Sequence, residues 1–207
     1  MDRIKDKYHQ LCANRSDINE HLPTLYKYAS QCESVIELGV RGCVSSWAIA
    51  HGLLNNNKET RKMFLNDISP CDIQAFLDAT KDLDIVTEHQ WINDLELEIH
   101  ENYDMTFIDT WHVYGQLIRE LNKFSKITNK YIVMHDTEVD KIHGETIRFG
   151  WDANQQSQET GIPAEEINAG LQRAIDEFLE KNPDWGVLER FENNNGLTIL
   201  EKRDQEA

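Results

Sequence analysis

The sequence predicts an α/β fold, a three-layer α/β/α sandwich around a seven-stranded, mostly parallel sheet whose last strand is antiparallel. Over the middle of the chain, short apolar runs alternate with amphipathic stretches, as in a parallel sheet covered by helices on both faces. Near the C-terminus, two more strand-like runs flank an Asn-Asn-Asn-Gly turn, which predicts a β-hairpin. The chain has 207 residues, 40% of them hydrophobic and 28% charged, which is typical of one soluble globular domain.

The elements follow in order along the chain. Residues 1–31 predict an N-terminal helical segment of two short helices, and residues 32–207 predict a single globular domain. Strands are predicted over 34–40, 62–68, 85–92, 103–109 and 130–136, and the hairpin over 185–191 and 197–202. Helices are predicted over 44–54, 71–83, 112–124 and about 163–181, with a short turn from Asp94. Residues 137–162 have few apolar positions and three glycines, which predicts a functional loop, here a mobile lid over the acceptor.

Charge and composition exclude several classes of function. The formal net charge is −16, so the protein repels nucleic-acid phosphates and anionic lipid, and neither partner is expected. No apolar run approaches the roughly 20 residues of a membrane span, and the first twenty residues contain no apolar signal core. The four cysteines, Cys12, Cys32, Cys43 and Cys71, form no C-x-x-C pair. Their thiols are therefore expected to be reduced, which predicts a cytoplasmic location.

Polar residues end each of the five predicted parallel strands. In an open parallel sheet, ligands bind beyond the carboxyl ends of the strands, so these residues are candidates for one shared site. The candidates are Glu37 with Gly39, Asp67, Asn93 with Asp94, Asp109 with His112, and His135 with Asp136.

The turn after the first strand indicates which ligand binds there. Gly39 and Gly42 allow the backbone to approach a ligand closely, but no Gly-Lys-Ser/Thr follows, so this is not a P-loop. Glu37 stands where a dinucleotide-binding turn has glycine, and its carboxylate would repel a pyrophosphate but suit a cationic ligand. Asp67, at the end of the second strand, can bind the hydroxyls of a ribose. S-adenosylmethionine has both a positive charge and a ribose, so it is the ligand that Glu37 and Asp67 together predict.

These features resemble a known family. The E-x-G-x-x-G-x-x-S turn, the acidic end of the second strand and the C-terminal hairpin resemble the class I S-adenosylmethionine-dependent methyltransferases over roughly residues 32–202. Segments 107–117, 131–137 and 191–202 are similar to a branch of metal-dependent O-methyltransferases that includes macrolide sugar methyltransferases and cephalosporin-hydroxylase-type proteins. The resemblance implies a Rossmann-like fold. It also implies cofactor contacts at the methionine, the ribose and the adenine from Glu37, Gly39, Arg41, Ser45, Ser46, Asp67, Asn93 and Asp94.

The same resemblance implies a metal site and a base. Asp109 and Asp136 would hold Mg²⁺, and His112 matches the position of the general base in the sugar enzymes. Relatives have Glu-Asp or Asp-Asn where this chain has His135 before Asp136. An imidazole ligand would favour Mn²⁺, or Thr137 and water would complete an oxygen shell. A divalent ion lowers the pKa of a bound hydroxyl, and a neutral histidine can then accept its proton.

The resulting prediction is an S-adenosylmethionine-dependent and divalent-metal-dependent O-methyltransferase. Its acceptor would be a hydroxyl of a sugar, a deoxyhexose such as rhamnose on a glycan or glycoside. Trp111, Trp151 and His143 are candidates for contacts with this acceptor, whereas Trp47, Trp91 and Trp185 are interpreted as packing residues.

Other interpretations stay open. A catechol-type aromatic acceptor would use the same metal site. His112 and His135 with one of the two aspartates would also make a two-histidine, one-carboxylate iron site, which suits a hydroxylase. A binding module without catalysis is a third alternative. The chain would act alone, as a homo-oligomer, or as one domain of a larger glycan-building enzyme.

Overall fold

The computed structural model describes residues 1–203, and its centre is a seven-stranded sheet. The strands are β1 Ser34–Leu38, β2 Lys62–Asp67, β3 Val86–Trp91, β4 Tyr103–Ile108, β5 Thr128–His135, β6 Trp185–Phe191 and β7 Leu197–Lys202. Their order in the sheet is β3-β2-β1-β4-β5-β7-β6. Strands β1 to β5 are mutually parallel, and β7 pairs antiparallel with both β5 and β6. The predicted sheet, including the reversed last strand, is confirmed.

This strand order determines where a ligand can bind. From β1 the chain moves outward to β2 and β3, and it then returns to the centre to place β4 on the other side of β1. The connections on the two sides of this switch point lie on opposite faces of the sheet, so a crevice opens between β1 and β4 at their carboxyl ends. The predicted site residues cluster around this edge of the sheet.

Helices cover both faces of the sheet. They are α1 Asp2–Ala13, α2 Leu22–Ala29, α3 Val44–Leu54, α4 Gln74–Thr80, α5 Tyr114–Phe124, α6 Glu145–Phe149, α7 Ala153–Thr160, α8 Ala164–Asn168 and α9 Leu171–Lys181. Helices α1 to α4 share one hydrophobic core with the sheet, and α5 with α9 share the other. Side chains of β1 alternate between these cores, with Val35 in the first and Ile36 in the second. Within residues 1–203, no helix combines the length and the apolar character needed to cross a membrane.

The N-terminal helices are part of the first core. Helix α3 is buried on almost every side because α1 and α2 cover the face that it turns away from the sheet. Gly52 of α3 permits the close approach of α2, since a Cβ atom there would lie 2.6 Å from the carbonyl oxygen of Tyr26. Residues 1–31 therefore pack directly on the domain that follows them.

The predicted long helix over 163–181 is wrong in one respect, because it is two helices. Ala169 and Gly170 are extended between α8 and α9. Gly170 packs so tightly that a Cβ atom would lie 2.5 Å from the carbonyl oxygens of Asp140 and Lys141. The same two carbonyls accept hydrogen bonds from the first amides of α9, from Leu171 and Gln172. Contact with the 140–142 backbone, which is distant in sequence, breaks the helix.

The stretch predicted as a loop over 137–162 contains α6 and α7. Both are short, and each ends at a glycine with positive φ, Gly150 and Gly161. Asp152 caps α7 by accepting hydrogen bonds from two backbone amides, and no residue of α7 is buried. Helix α6 has only five residues and α7 is mostly polar, so the hydrophobic pattern of the sequence conceals both.

The turn between β6 and β7 joins three parts of the chain. The side-chain amide of Asn194 donates to the carbonyl of Ser16 and accepts from the backbone amide of Glu20. The carbonyl oxygen of Asn195 accepts from the backbone amides of Glu138 and Val139, just after β5. The N-terminal segment, the hairpin and the start of the 137–162 stretch therefore meet at this turn.

Candidate functional site

A cavity of about 540 Å³ lies at the carboxyl ends of β1 to β4. Its wall contains most of the predicted cofactor residues together with two residues predicted for the chemistry. These are Gly39, Arg41, Ser45, Asp67, Asn93, Asp94, Asp109 and His112. The cavity wall does not include Glu37, Ser46, His135 or Asp136.

Gly39 brings the ends of β1 and β4 together at the cavity. Its φ is +88°, and a Cβ atom there would overlap the carbonyl oxygen of Asp109 at 1.9 Å. The position therefore admits only glycine, as the sequence pattern indicated. The following turn also contains Arg41 in the left-handed region at φ 42°. The Arg41 guanidinium extends over the N-terminal segment and forms an ion pair with Asp17 at 2.6 Å.

Glu37 is fully buried behind the cavity wall. The hydroxyl groups of Ser45 and Ser46, in the first turn of α3, each donate a hydrogen bond to one of its carboxyl oxygens. Burial raises the pKa of Glu37 to about 8, although the two hydroxyl groups oppose this shift. The visible function of Glu37 is to fix the start of α3, and its direct contact with a cofactor stays a prediction.

Asp67 faces the cavity and supports the β1–α3 turn. Its Oδ2 accepts hydrogen bonds from the backbone amides of Val40 and Arg41, both at 3.0 Å, and its Oδ1 accepts from that of Ser69 at 3.1 Å. Burial alone would raise the pKa of the Asp67 carboxyl, but these three amides outweigh burial and lower it. The carboxylate is thus held in its charged form by the backbone.

A compact acidic cluster adjoins the cavity where β4 and β5 end. His112 Nε2 lies 3.1 Å from Asp109 Oδ1 and 3.1 Å from Asp136 Oδ2. The donor atoms of these three side chains all lie within 4.8 Å of one another. His135 Nδ1 approaches the same two carboxylate oxygens, at 3.3 and 3.5 Å. The structure therefore brings together all the residues predicted for the metal and the base.

Asp136 shows strain and an unpartnered atom. Its φ is 56°, an unusual value for a residue other than glycine, and it directly follows β5. Its Oδ1 is buried and has no hydrogen-bond partner among residues 1–203. Buried polar atoms without partners are rare in proteins, so this oxygen fits a ligand to a cation. Thr137, the alternative ligand, instead accepts a hydrogen bond from Thr198 at 2.9 Å.

Electrostatics couple the two histidines to the two aspartates. Burial alone would lower the pKa of His112, but Asp109, Glu145 and Asp136 outweigh burial and raise it well above its ordinary value. The pKa of His135 rises to about 10 in the same way, against burial and through Asp109 and Asp136. Protons on the imidazoles therefore balance the carboxylates, and a divalent cation in their place would supply the same positive charge.

A second set of residues, not predicted from the sequence, surrounds the other side of His112. His112 Nδ1 lies 3.4 Å from Glu145 Oε2 and 3.6 Å from Asp140 Oδ2. Asp140 is fully buried and accepts two hydrogen bonds from Arg148, at 2.8 and 2.7 Å. These residues lie in the 137–162 stretch, where no motif distinguishes them. The available signal was only the length of that stretch and the carboxylates within it.

The predicted acceptor residues are divided. Trp111 lines the cavity, as do Thr160 and Ile162 at the end of α7. Trp151 is half-exposed outside the cavity and stacks on Phe149, with ring centroids 4.8 Å apart. His143 is exposed, and its backbone pairs with that of Ala169. Trp47 and Trp185 are buried as interpreted, and Trp91 is partly buried at the edge strand β3.

Solved methyltransferase structures share this architecture. An O-methyltransferase from Bacillus cereus bound to S-adenosylhomocysteine aligns with a TM-score of 0.61 and 13% identity, over 98% of this chain and 92% of its own. The O-methyltransferase TomG from Streptomyces achromogenes, involved in tomaymycin synthesis and bound to S-adenosylmethionine, gives 0.59 and 14%, over 92% and 82%. The N-methyltransferase NodS from Bradyrhizobium japonicum WM9, bound to S-adenosylhomocysteine, gives 0.57 and 13%, over 98% and 99%.

At these identities the likeness establishes the fold. The chain has the Rossmann-like fold of the S-adenosylmethionine-dependent methyltransferases, as predicted. Enzymes that methylate oxygen and enzymes that methylate nitrogen share this fold, so the acceptor atom must be argued from the site itself. No protein-family model and no curated protein matches the sequence.

Proposed function

We propose that the protein is an S-adenosylmethionine-dependent O-methyltransferase that uses a divalent cation and acts on a sugar hydroxyl, such as one of a deoxyhexose on a glycan or glycoside. One observation carries the proposal. Asp109 and His112 belong both to the wall of the cavity and to the acidic cluster. A methyl donor in the cavity and a cation in the cluster would therefore serve one reaction space.

The charges of the cavity suit a cationic cofactor. The cavity wall includes four carboxyl groups, from Asp67, Asp94, Asp109 and Glu145, against the guanidinium of Arg41 and the imidazole of His112. Asp67 would receive the ribose hydroxyls, and Asn93 with Asp94 would contact the adenine. When bound, S-adenosylmethionine supplies a methyl group on a sulfonium that is its own leaving group. The protein then has to hold the two reactants in line and to accept one proton.

The residues of the cluster fit a divalent cation. Asp109 and Asp136 would hold it, and His135 would supply a nitrogen ligand, which favours Mn²⁺ over Mg²⁺. The bound ion would lower the pKa of an acceptor hydroxyl. His112 would accept the proton, because it is the imidazole that lines the cavity, whereas His135 is only 2% exposed. In the competing assignment His112 is itself a ligand, and its 3.1 Å distances to both carboxylates suit that role.

Two aromatic features support a ring-shaped acceptor. Trp111 offers its ring at the cavity wall, and Trp151 with Phe149 forms a half-exposed stacked pair beyond α6. Helix α6 begins with Glu145, which lines the cavity. The stacked pair of Phe149 and Trp151 therefore comes only a few residues after the cavity wall in the sequence. Sugar rings and catechol rings both pack on such faces, and an assay with both kinds of acceptor distinguishes them.

The test is a methyl-transfer assay with S-adenosylmethionine and a panel of acceptors, free rhamnose, a rhamnoside and a catechol. We expect transfer to the rhamnoside, its loss after treatment with EDTA, and its return with Mn²⁺ or Mg²⁺. Full activity in EDTA would contradict the cation. Transfer to the catechol alone would replace the sugar with an aromatic acceptor.

Calorimetry with S-adenosylhomocysteine and with NAD provides the independent readout of the cofactor. Binding of NAD alone would overturn the proposal. Binding of neither adenosyl ligand, together with Fe²⁺-dependent oxygen uptake, would favour the hydroxylase alternative instead.

A further inference from the structure

Two sets of possible metal ligands share the imidazole of His112. The acidic cluster, with Asp109 and Asp136, faces Nε2 at 3.1 Å. Asp140 and Glu145 face the other nitrogen, Nδ1, at 3.6 and 3.4 Å. In each set, one donor atom from every residue lies within 4.8 Å of the others. Judged by ligand type alone, the residues therefore offer two cation positions, one on each side of the ring.

A guanidinium already occupies the second position. Arg148 Nε donates to Asp140 Oδ1 at 2.8 Å, and Arg148 Nη2 donates to Asp140 Oδ2 at 2.7 Å. The same Nη2 lies 3.8 Å from Glu145 Oε2. Asp140 Oδ2 and Glu145 Oε2 are also the oxygens that face His112 Nδ1, so Arg148 takes the atoms that a second metal ion would need.

The structure holds Arg148 and Asp140 in place. Two parallel N–H donors to one carboxyl group make a strong and directional pair. The guanidinium also lies 4.4 Å from the centre of the Phe149 ring, which is a favourable cation–π contact. Asp140 is fully buried, and its carbonyl oxygen accepts a hydrogen bond from the Leu171 amide at 2.9 Å. Arg148 is therefore a fixed part of the site and not a loose surface side chain.

The two positions differ in the kind of positive charge beside them. Among residues 1–203, only His112 and His135 come within ion-pair distance of Asp109 and Asp136. An imidazole can give up its proton when a metal ion binds, but a guanidinium keeps its charge in proteins. A divalent cation can therefore replace protons in the acidic cluster, whereas beside Arg148 it would meet a permanent positive charge.

We infer that Arg148 is a specificity-determining residue for the cation, which takes the place of a second metal ion and restricts the site to one divalent ion on the Nε2 side of His112. The inference rests on the proposed function, since it takes a divalent cation to bind in the acidic cluster. Arg148 acts through Asp140 and Glu145 and does not contact that ion.

Loss of the guanidinium should then open a second metal site. Its ligands would be Asp140, Glu145 and His112 Nδ1. This nitrogen is buried and has no hydrogen-bond partner in the described part of the chain, so it is available as a ligand.

Calorimetry with Mn²⁺ on the metal-free protein measures the number of ions bound per chain. We expect one Mn²⁺ in the unaltered protein and two in Arg148→Met, which removes the charge but keeps an unbranched side chain. Electron paramagnetic resonance gives a second readout, because two Mn²⁺ ions on opposite sides of one imidazole broaden each other's signals. Mn²⁺ should also raise the thermal midpoint of Arg148→Met more than that of the unaltered protein, since Asp140 is left buried without its partner.

Further variants locate the second ion. Arg148→Lys keeps a positive charge and should bind one Mn²⁺ only. Arg148→Met combined with Asp140→Asn lacks a ligand of the second position and should return to one ion. If Arg148→Met does not fold, Arg148→Gln replaces it, because it keeps one N–H donor toward Asp140.

Arg173→Met is the matched control. Arg173 also pairs with an acidic side chain, Glu177, and lies over an aromatic ring, that of Tyr114, but it belongs neither to the cavity wall nor to the two ligand sets. This variant should bind one Mn²⁺, as the unaltered protein does.

The outcomes separate the inference from the proposed function. No binding of Mn²⁺ by the unaltered protein would contradict the cation of the proposed function itself. Two ions in the unaltered protein would overturn the role of Arg148. The same holds if the unaltered protein binds one ion and the folded variant, Arg148→Met or Arg148→Gln, binds fewer than two. In both of these cases the proposed cation stands.

Discussion

Asp67 and Asp136 each lie at the carboxyl end of a parallel strand, yet their surroundings differ. Asp67 accepts three hydrogen bonds from backbone amides, which hold its charge in place. Asp136 has a positive φ, one oxygen without a partner in the described part of the chain, and the other oxygen beside two imidazoles. The cofactor side of the site is stabilised by the backbone, whereas the cluster side depends on groups that gain or lose protons.

The two sides of the site differ in whether they need a cation. Amide groups that are already in position need no further ligand, so the cofactor side should keep its geometry without metal. In the cluster, the neighbouring carboxylates of Asp109 and Asp136 need positive charge nearby, from protonated histidines or from a bound ion. Substitutions on the two sides should therefore have separable effects on cofactor affinity and on metal affinity.

The largest effect is expected for Asp109→Ala. The change removes a carboxylate that both histidines approach within 3.3 Å, so Mn²⁺ binding should be lost and turnover should fall by at least about 10³-fold. Calorimetry with Mn²⁺ and the methyl-transfer rate measure the two effects. Asp82→Ala, at an exposed carboxylate far along the chain from the site, is the matched control. Unchanged affinity for Mn²⁺ in Asp109→Ala would remove the cation from this cluster.

His112→Ala should lower turnover by roughly 10²–10⁴-fold, the usual worth of a general base. Because His135 and the two aspartates remain, we expect affinity for Mn²⁺ and for S-adenosylhomocysteine to be retained. Loss of Mn²⁺ binding would make His112 a ligand, and near-normal turnover would leave it a structural neighbour only. His100→Ala, at an exposed histidine without a predicted role in the site, is the control and should behave as the unaltered protein does.

Asp67→Ala should weaken the binding of S-adenosylhomocysteine by about 1–3 kcal/mol, through loss of charge-assisted hydrogen bonds to the ribose. Part of this loss is indirect, because the substitution also frees the amides of Val40 and Arg41. Asp67→Asn keeps one acceptor oxygen, so its affinity for S-adenosylhomocysteine should lie between those of the unaltered protein and Asp67→Ala. Affinity for Mn²⁺ should stay the same, and a parallel loss of metal binding would contradict the separation of the two sides.

A further effect, independent of ligands, concerns the dependence of stability on pH. The pKa of Glu37 is about 8 in the folded protein, against an ordinary value of 4.5, so between these pH values the folded chain keeps a proton that the unfolded chain has lost. The contribution of Glu37 to stability is therefore fully present below pH 4.5, decreases as the pH rises, and levels off above pH 8. Glu37→Gln cannot ionise and lacks this dependence.

Thermal midpoints at intervals between pH 5 and pH 8 measure the effect. The unaltered protein should lose more stability over this range than Glu37→Gln does, by about 2–4 °C for each kcal/mol of difference. Parallel curves for the two proteins would mean that Glu37 is ionised throughout. Asp84→Asn, at a mostly exposed carboxylate, is the control and should reproduce the unaltered curve.

The fold could be predicted because it depends on patterns that are local in the sequence. Strand–helix alternation and the asparagine-rich turn predict the sheet, and the polar ends of its strands predict where the site lies. The break at Gly170 could not be predicted, because it results from packing against the backbone of 140–142. Helix α7 is polar except for Ala153 and was concealed for the opposite reason, since none of its residues is fully buried.

The site could be predicted in part. The strand ends identify Asp109, His112 and Asp136, because topology alone brings these residues together. Glu145 and Arg148 reach the cluster from a stretch without a motif, so only the folded chain reveals them. Glu120 is a polar residue of the amphipathic helix α5, and only the structure shows that it is fully buried.

The turn between β6 and β7 has a thermodynamic consequence. On one side it holds Ser16 and Glu20 next to Ile18, which lines the cavity, and on the other its Asn194 carbonyl lies 3.3 Å from His135 Nε2. A ligand that orders the cavity wall and an ion that orders the cluster thus act on the same few hydrogen bonds. Linkage requires any such coupling to be reciprocal, so the factor by which cofactor tightens Mn²⁺ binding must equal the factor by which Mn²⁺ tightens cofactor binding.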